Sequence, residues 1–182
     1  MSTERTERDL ITGRFWFRES YGYDQELPKP EYAILFLKTI LHIAGADGTI
    51  SEPERNWVVG FAAVCGFPQN IIDELKVYQP GESDIVEKFF QDMDMEYVKQ
   101  ARCSILYYGI RAASADGELH AKELEAIYKL AKKVNVSDEQ VQQIRSFVDE
   151  ENQIIEKRAK TIFPDGLDVL LKVYDEKFVQ NK

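Results

Sequence analysis

Ala46-Asp47-Gly48-Thr49-Ile50 and Ala115-Asp116-Gly117-Glu118-Leu119 stand 69 positions apart, counted from Asp47 to Asp116. The same offset pairs Leu41 with Ile110, Ala44 with Ala113, Glu54 with Glu123, Val58 with Ile127 and Ala62 with Ala131. It runs on without a gap through Gly66 with Asn135, Ile72 with Val141 and Leu75 with Ile144. A recurrence that keeps apolar, small and acidic positions in step is the signature of a repeated supersecondary unit. The apolar positions recur at helical spacing, and no strand-like alternation of useful length appears. The reading is an all-α, internally duplicated helical bundle: two helical hairpins related by a pseudo-twofold axis.

Punctuation places the helices. Pro30 suits a first turn, and Ile34, Leu35, Leu37, Ile40, Leu41 and Ala44 form an apolar stripe ending near Ala46. Ser51-Glu52-Pro53-Glu54 is a helix start, with serine as N-cap and glutamate closing a capping box. Gly66 is a left-handed terminator, and Asn135, which also tolerates positive φ, stands there in the second copy. A shorter helix, Gln69 to Tyr78, leads to a turn at Pro80-Gly81. Ser83 then caps a linking helix carrying Ile85, Val86, Phe89 and Phe90, and Met93 and Met95 belong to a linker. The second copy opens with a helix from Glu96 to Ala113 and continues with its partner after His120. A long charged helix follows from the Ser137-Asp138-Glu139-Gln140 box to about Thr161. Its Asp149-Glu150-Glu151 and Glu156-Lys157-Arg158 face is expected to be solvated. After the Pro164-Asp165-Gly166 turn, a final amphipathic helix spans Leu167 to Phe178.

The domain reading is a single helical domain over 31–182, with repeat one at 31–79, repeat two at 96–147 and C-terminal helices to 182. Ahead of it come a polar tail, 1–13, and an irregular aromatic strap, 14–30, with Phe15, Trp16, Phe17, Tyr21 and Tyr23. The strap either lies across the helical core or serves as an exposed docking surface.

Composition narrows the partners. At 182 residues and 44% hydrophobic the chain is long enough to bury a substantial core. A net charge of −9 and a pI near 4.9 disfavour nucleic acid and anionic lipid. The Arg14-Phe15-Trp16-Phe17-Arg18 run has nothing basic around it to extend a stacking platform. No apolar run reaches the roughly 18 residues of a membrane span, and the charged N-terminus does not read as a secretory signal. The expectation is a cytoplasmic protein with an unidentified protein partner, no nucleic acid and no membrane span; the oligomeric state is left open. Cys65 and Cys103 lie in apolar patterns and read as buried free thiols.

In each copy an aspartate ends a buried helix, glycine follows, an aliphatic comes two residues later, and a glutamate lies seven residues beyond the aspartate. Asp47-Gly48-Thr49-Ile50 with Glu54, and Asp116-Gly117-Glu118-Leu119 with Glu123, reproduce the second half of an EF-hand loop. The first half is missing, because Ile43, Gly45, Ala112 and Ser114 fill the slots of the first and third ligands. Two readings stand. In one, each aspartate folds back onto loop N–H groups, glycine reverses the chain, and each glutamate completes a helix cap. In the other, the pseudo-twofold gathers Asp47, Glu54, Asp116 and Glu123 around a divalent cation, with oxygen donors favouring calcium, magnesium or manganese over zinc.

These twin Ala-Asp-Gly…Glu hairpins resemble the TerB-like family, the tellurite-resistance TerB proteins and the related N-terminal domain of membrane-anchored J-domain co-chaperones. The similarity covers about residues 31 to 147. It implies an all-α duplicated fold and divalent-metal binding at Asp47, Glu54, Asp116 and Glu123. No His-Pro-Asp triplet or transmembrane helix is present, so co-chaperone function does not carry over. His42 and His120 read as structural, no Gly-rich phosphate loop occurs, and the Glu-x-x-His pair of a di-metal carboxylate enzyme is missing. The expectation is therefore a non-catalytic module with no catalytic residue and no organic cofactor. The alternatives are a metal-dependent enzyme using the same carboxylates, or a purely architectural motif with the aromatic strap as working surface.

Overall fold

Pro30 opens α2 (Pro30–Ala44), a deeply buried helix, with Leu37, Ile40, Leu41, Ile43 and Ala44 all but sealed from solvent. Thr39 shares that interior because its Oγ1 donates to the Leu35 carbonyl at 2.8 Å, which removes the cost of burying a hydroxyl. The computed structural model describes residues 4–79, 81, 85–92 and 95–174, and among these it is all-helical. The Pro80, Ser83 and Met93 assignments, and the end of the last helix at 175–178, lie outside the described residues. The chain divides into two compact units, Met1–Gln142 and Gln143–Lys182.

In the first unit α2 is followed by α3 (Glu52–Val64), α4 (Gln69–Val77), α5 (Ile85–Asp92), α6 (Met95–Ala113) and α7 (Ala121–Lys133). The first helix of each hairpin packs on both second helices: α2 on α3 and α7, α6 on α7 and α3, with α2 and α6 against one another. Val58, Ala62, Ile105, Leu106, Ile110, Ile127 and Ala131 fill the interior between them. Apolar burial of about 1.5–3 kcal/mol per large aliphatic side chain is the dominant stabilising term here. Arg55 adds a specific one: its Nη1 donates to the carbonyls of Leu75 at 3.0 Å and Tyr78 at 2.8 Å, closing the C-terminus of α4. Arg55→Met is expected to cost about 2 kcal/mol in urea unfolding, since two carbonyls lose a charged donor. An unchanged midpoint would show that water replaces the guanidinium freely.

The N-terminal segment differs from the irregular strap expected of it. Residues Glu7–Tyr21 form α1, started by a Thr6–Asp9 capping box and ended by Gly22 in the left-handed conformation. Its only fully buried residue is Gly13, and the half-buried Trp16 and Phe17 pack on the core beside it. What holds α1 is close approach to the end of α3. A Cβ on Gly13 would stand 2.7 Å from the Cys65 carbonyl oxygen, and one on Gly66 would stand 2.2 Å from the Asp9 oxygen. Arg5 fixes the entry, its Nε donating to Gly66 O at 2.8 Å, its Nη2 to Pro28 O, and its guanidinium lying over the Phe67 ring. Trp16 meets Phe61 edge-on, and Phe61 packs against Trp57 and Tyr108, so half of the aromatic segment joins the core. Phe15, Tyr21 and Tyr23 stay exposed.

Cys65 is buried, and burial pushes its thiol up to about 12. Cys103 corrects the reading of two buried thiols: it is exposed, although Leu106 and Ile110, three and seven positions further along α6, are buried. The second unit holds most of α8 (Asp138–Ile162), whose start carries the expected Ser137–Gln140 box, and α9 (Leu167–Tyr174). Among the described residues no helix is long and apolar enough to cross a membrane.

Candidate functional site

The two Asp-Gly loops fold alike, bond for bond. Gly45 N–H donates to Leu41 O, Ala46 N–H to Ile43 O and Gly48 N–H to Gly45 O; Ser114, Ala115 and Gly117 repeat this to Ile110, Ala112 and Ser114. Gly48 and Gly117 take φ of 113° and 100°, a conformation that favours glycine. Asp47 Oδ1 then accepts from Thr49 N–H at 2.9 Å, and Asp116 Oδ1 from Glu118 N–H at 3.1 Å, each an Asx turn. Half an EF-hand is absent because Ile43, Gly45, Ala112 and Ser114 bring no carboxylate to its first and third positions. Ile43, Gly45, Ala112 and Ser114 belong to the closing helix turn, and their carbonyls are already committed to it.

One turn further on, Glu54 and Glu123 begin α3 and α7. Glu54 Oε2 accepts from Ser51 N–H at 2.6 Å and Glu123 Oε2 from His120 N–H at 2.7 Å. Both are nevertheless almost completely buried, 2% and 1% exposed, which solvent-facing caps are not. The cause is the packing of α3 and α7 on the same two helices, which brings their first turns face to face. Glu54 Oε1 is fully buried and accepts from no N–H or hydroxyl, and the Glu54 and Glu123 side chains lie within hydrogen-bonding reach of one another. Two carboxyls in a dry contact bond only if a proton stays between them. Burial first, then this bond to Glu54, pushes Glu123 up to about 8, with the Glu54 and Asp47 charges adding and the His120 N–H opposing.

Asp47, in the turn ahead of Glu54, acts on Glu123 across the two hairpins. Lys122 Nζ, next to Glu123, donates to the Asp47 carbonyl at 3.4 Å, a bond across the two hairpins. The Asp47 carboxyl is held below its usual range by the Thr49 N–H, with smaller help from the Thr49 hydroxyl, His120 and Lys122. The structure thus joins Glu54 to Glu123 and sets Asp47 close enough to act on both loops, while Asp116 is bonded within its own turn. Among the described residues no three of His, Cys, Asp and Glu form a group able to hold a metal ion. Sequence reasoning missed Lys122; its signal was a cation in the first turn of a helix, where the dipole favours acids.

His42 is half-buried with Nδ1 unbonded, and burial lowers its pKa despite Glu87 nearby. It stands among apolar helices, as a structural histidine does.

Comparison with known proteins places this geometry. The profile of the family described as tellurite resistance protein TerB matches residues 69–146. A solved structure of a tellurite resistance protein from Nostoc punctiforme is 30% identical, with a TM-score of 0.74, over 87% of this chain and 96% of that one. No protein with a curated functional record matches. With that identity held across nearly the whole of a solved relative and the same all-helical fold, the chain belongs to the TerB-like family of tellurite resistance proteins.

Proposed function

We propose that this chain is a non-catalytic TerB-family module, in the tellurite-resistance setting its relatives are named for, that takes up a divalent cation where its hairpins meet and acts through protein partners. The observation that carries the reading is the buried Glu54–Glu123 pair, with Glu54 Oε1 lacking any donor and the Asp47 charge acting on Glu123. Buried like charges persist only with a proton or a cation between them. An all-oxygen donor set favours calcium, magnesium or manganese. Glu54 and Glu123 would hold the ion, with Asp47 and Asp116 of the two turns as further oxygen donors. A bound cation would supply positive charge that keeps both glutamates ionised.

A second reading is favoured by the bonds themselves. All four carboxylates already accept a backbone N–H, so a shared proton can complete the pair and leave the motif architectural. Calorimetric titration with calcium, magnesium and manganese, alongside thermal melts, separates the two. Saturable heat and a raised melting temperature, both lost in Glu54→Gln/Glu123→Gln and weakened in Asp47→Asn/Asp116→Asn, are expected. No heat and no shift at millimolar metal would leave the architectural reading, and metal-dependent turnover on a phosphoester or peptide panel would overturn the non-catalytic one.

A further inference from the structure

Lys122 stands in the first turn of α7, one residue before Glu123. The partial positive charge of a helix N-terminus favours acids there and repels an ammonium. No ion pair compensates, for among the described residues Lys122 meets no carboxylate at ion-pair distance. Its Nζ donates instead to the Asp47 carbonyl at 3.4 Å, across 75 residues of chain. The offset that matches the two hairpins puts Pro53 where the second copy has Lys122. Proline brings neither a charge nor a side-chain donor, so position 53 cannot tether the Asp116 turn in the same way. The lysine therefore belongs to one turn of the two and is explained neither by its helix nor by a salt bridge.

We infer that Lys122 sets the affinity of the site for divalent cations: its ammonium, held at the Asp47 turn, opposes the entry of further positive charge, so that the Glu54–Glu123 pair loads only at high cation concentration. The inference rests on the cation reading above, which the buried Glu54 Oε1 without a donor supports. The ammonium's field reaches the donors. The Asp47 carboxyl is held low first by the Thr49 N–H, then by the Thr49 hydroxyl, His120 and Lys122. Yet Lys122 cannot neutralise the pair, because it is an exposed residue and both glutamates are buried. A positive charge fixed beside a cation site, and outside it, lowers the affinity without filling the site. A doubly charged ion feels that field twice as strongly as a monovalent one, and salt screens it because the lysine is exposed. Removing the charge while keeping the side-chain stem distinguishes this role from a mechanical tether. If Lys122 only ties the hairpins together, its loss loosens the site and weakens binding. If its charge governs entry, its loss tightens binding.

Calorimetric titration of the full chain with calcium, and again with manganese, in low-salt buffer tests this. Lys122→Met is expected to bind about tenfold more tightly than the wild type, and Lys122→Glu more tightly still. Lys122→Arg keeps the charge and should stay within about threefold of the wild type. The gap between wild type and Lys122→Met should narrow to about twofold at roughly 0.5 M salt, where exposed charges are screened over a few ångströms. In metal-free protein the urea midpoint of Lys122→Met should hold or rise, since a cation in a first helical turn is unfavourable. Binding by Lys122→Met that is unchanged or weaker, or a gap that salt does not narrow, would overturn the inference and leave the cation site standing. A wild type that gives no heat at millimolar metal while Lys122→Met does would support it. No heat from either chain would remove the cation reading itself, and this inference with it.

Discussion

Gly66→Ala is expected to destabilise the first unit by about 4 kcal/mol and lower its melting temperature by roughly 10 °C. Two costs combine. Gly66 has φ of 73°, where an L side chain costs about 1–2 kcal/mol. The new Cβ would also stand 2.2 Å from Asp9 O and 3.1 Å from Gly13 Cα, so α1 must move away from α3. Backbone cannot rotate aside as a flexible side chain can, and the shift would strain the Arg5 bond to Gly66 O and the Trp16–Phe61 contact. Gly66→Asn separates the terms: asparagine accepts the φ but brings the same Cβ, so it should cost nearly as much as alanine. Asn135→Gly at the corresponding terminator, φ 55°, should stay within about 0.5 kcal/mol. Urea midpoints and circular-dichroism melts read all three. A loss under about 1 kcal/mol for Gly66→Ala would show that α1 does not depend on this crossing.

That contrast also marks how far sequence carried. Gly66 and Asn135 announced themselves as terminators, because positive φ restricts residue type wherever it occurs. The Ser51–Glu54 box, the Asp47 and Asp116 turns and the hairpin pattern were legible for the same reason: each is decided within a few residues. α1 was not, although Thr6 and Asp9 spelled out its cap and Leu10, Gly13, Trp16 and Phe17 recur at helical spacing, because what seats it is the close approach of two glycines across different segments. Cys103 was misread since helical phase, which sets it beside Ile110, does not say how far along a helix its cover extends. The site divides along the same line. Glu54 and Glu123 were legible as caps, but their burial against one another follows from α3 and α7 sharing α2 and α6 as neighbours, a tertiary fact that no local window contains. Lys122 joining Asp47 across 75 residues is a second case.

Because Glu123 keeps its proton to about 8 in the folded state and loses it near 4.5 when unfolded, the metal-free protein should become less stable as pH rises between those values. The folded state holds the extra proton throughout this window, so the contribution is complete below 4.5 and gone above 8. At about 1.4 kcal/mol per pK unit the total is a few kcal/mol. The charged groups around the pair leave this direction intact. Asp47 is depressed, so its stabilisation is lost only on acidification below the ordinary carboxylate range, outside the window. His42, lowered by burial, runs the opposite way as pH rises through its unfolded value of 6.5, and the cleanest interval is therefore 6.5 to 8. Glu123→Gln should flatten that interval and exceed the wild type at pH 8, since a neutral amide can accept from His120 N–H and donate to Glu54 without holding a titrating proton. Glu123→Ala removes the partner as well and should be weaker than the glutamine variant at every pH, the cost of a buried Glu54 left unanswered. Urea midpoints in chelator across this range decide it: a wild-type stability that is flat or rises from pH 6.5 to 8 would mean that no proton is shared by the pair. Repeating the series with millimolar calcium, magnesium or manganese then joins the two halves of the argument. A cation that takes the proton's place should lift the wild type most at the alkaline end, where the site is ionised, and leave Glu123→Gln nearly unchanged.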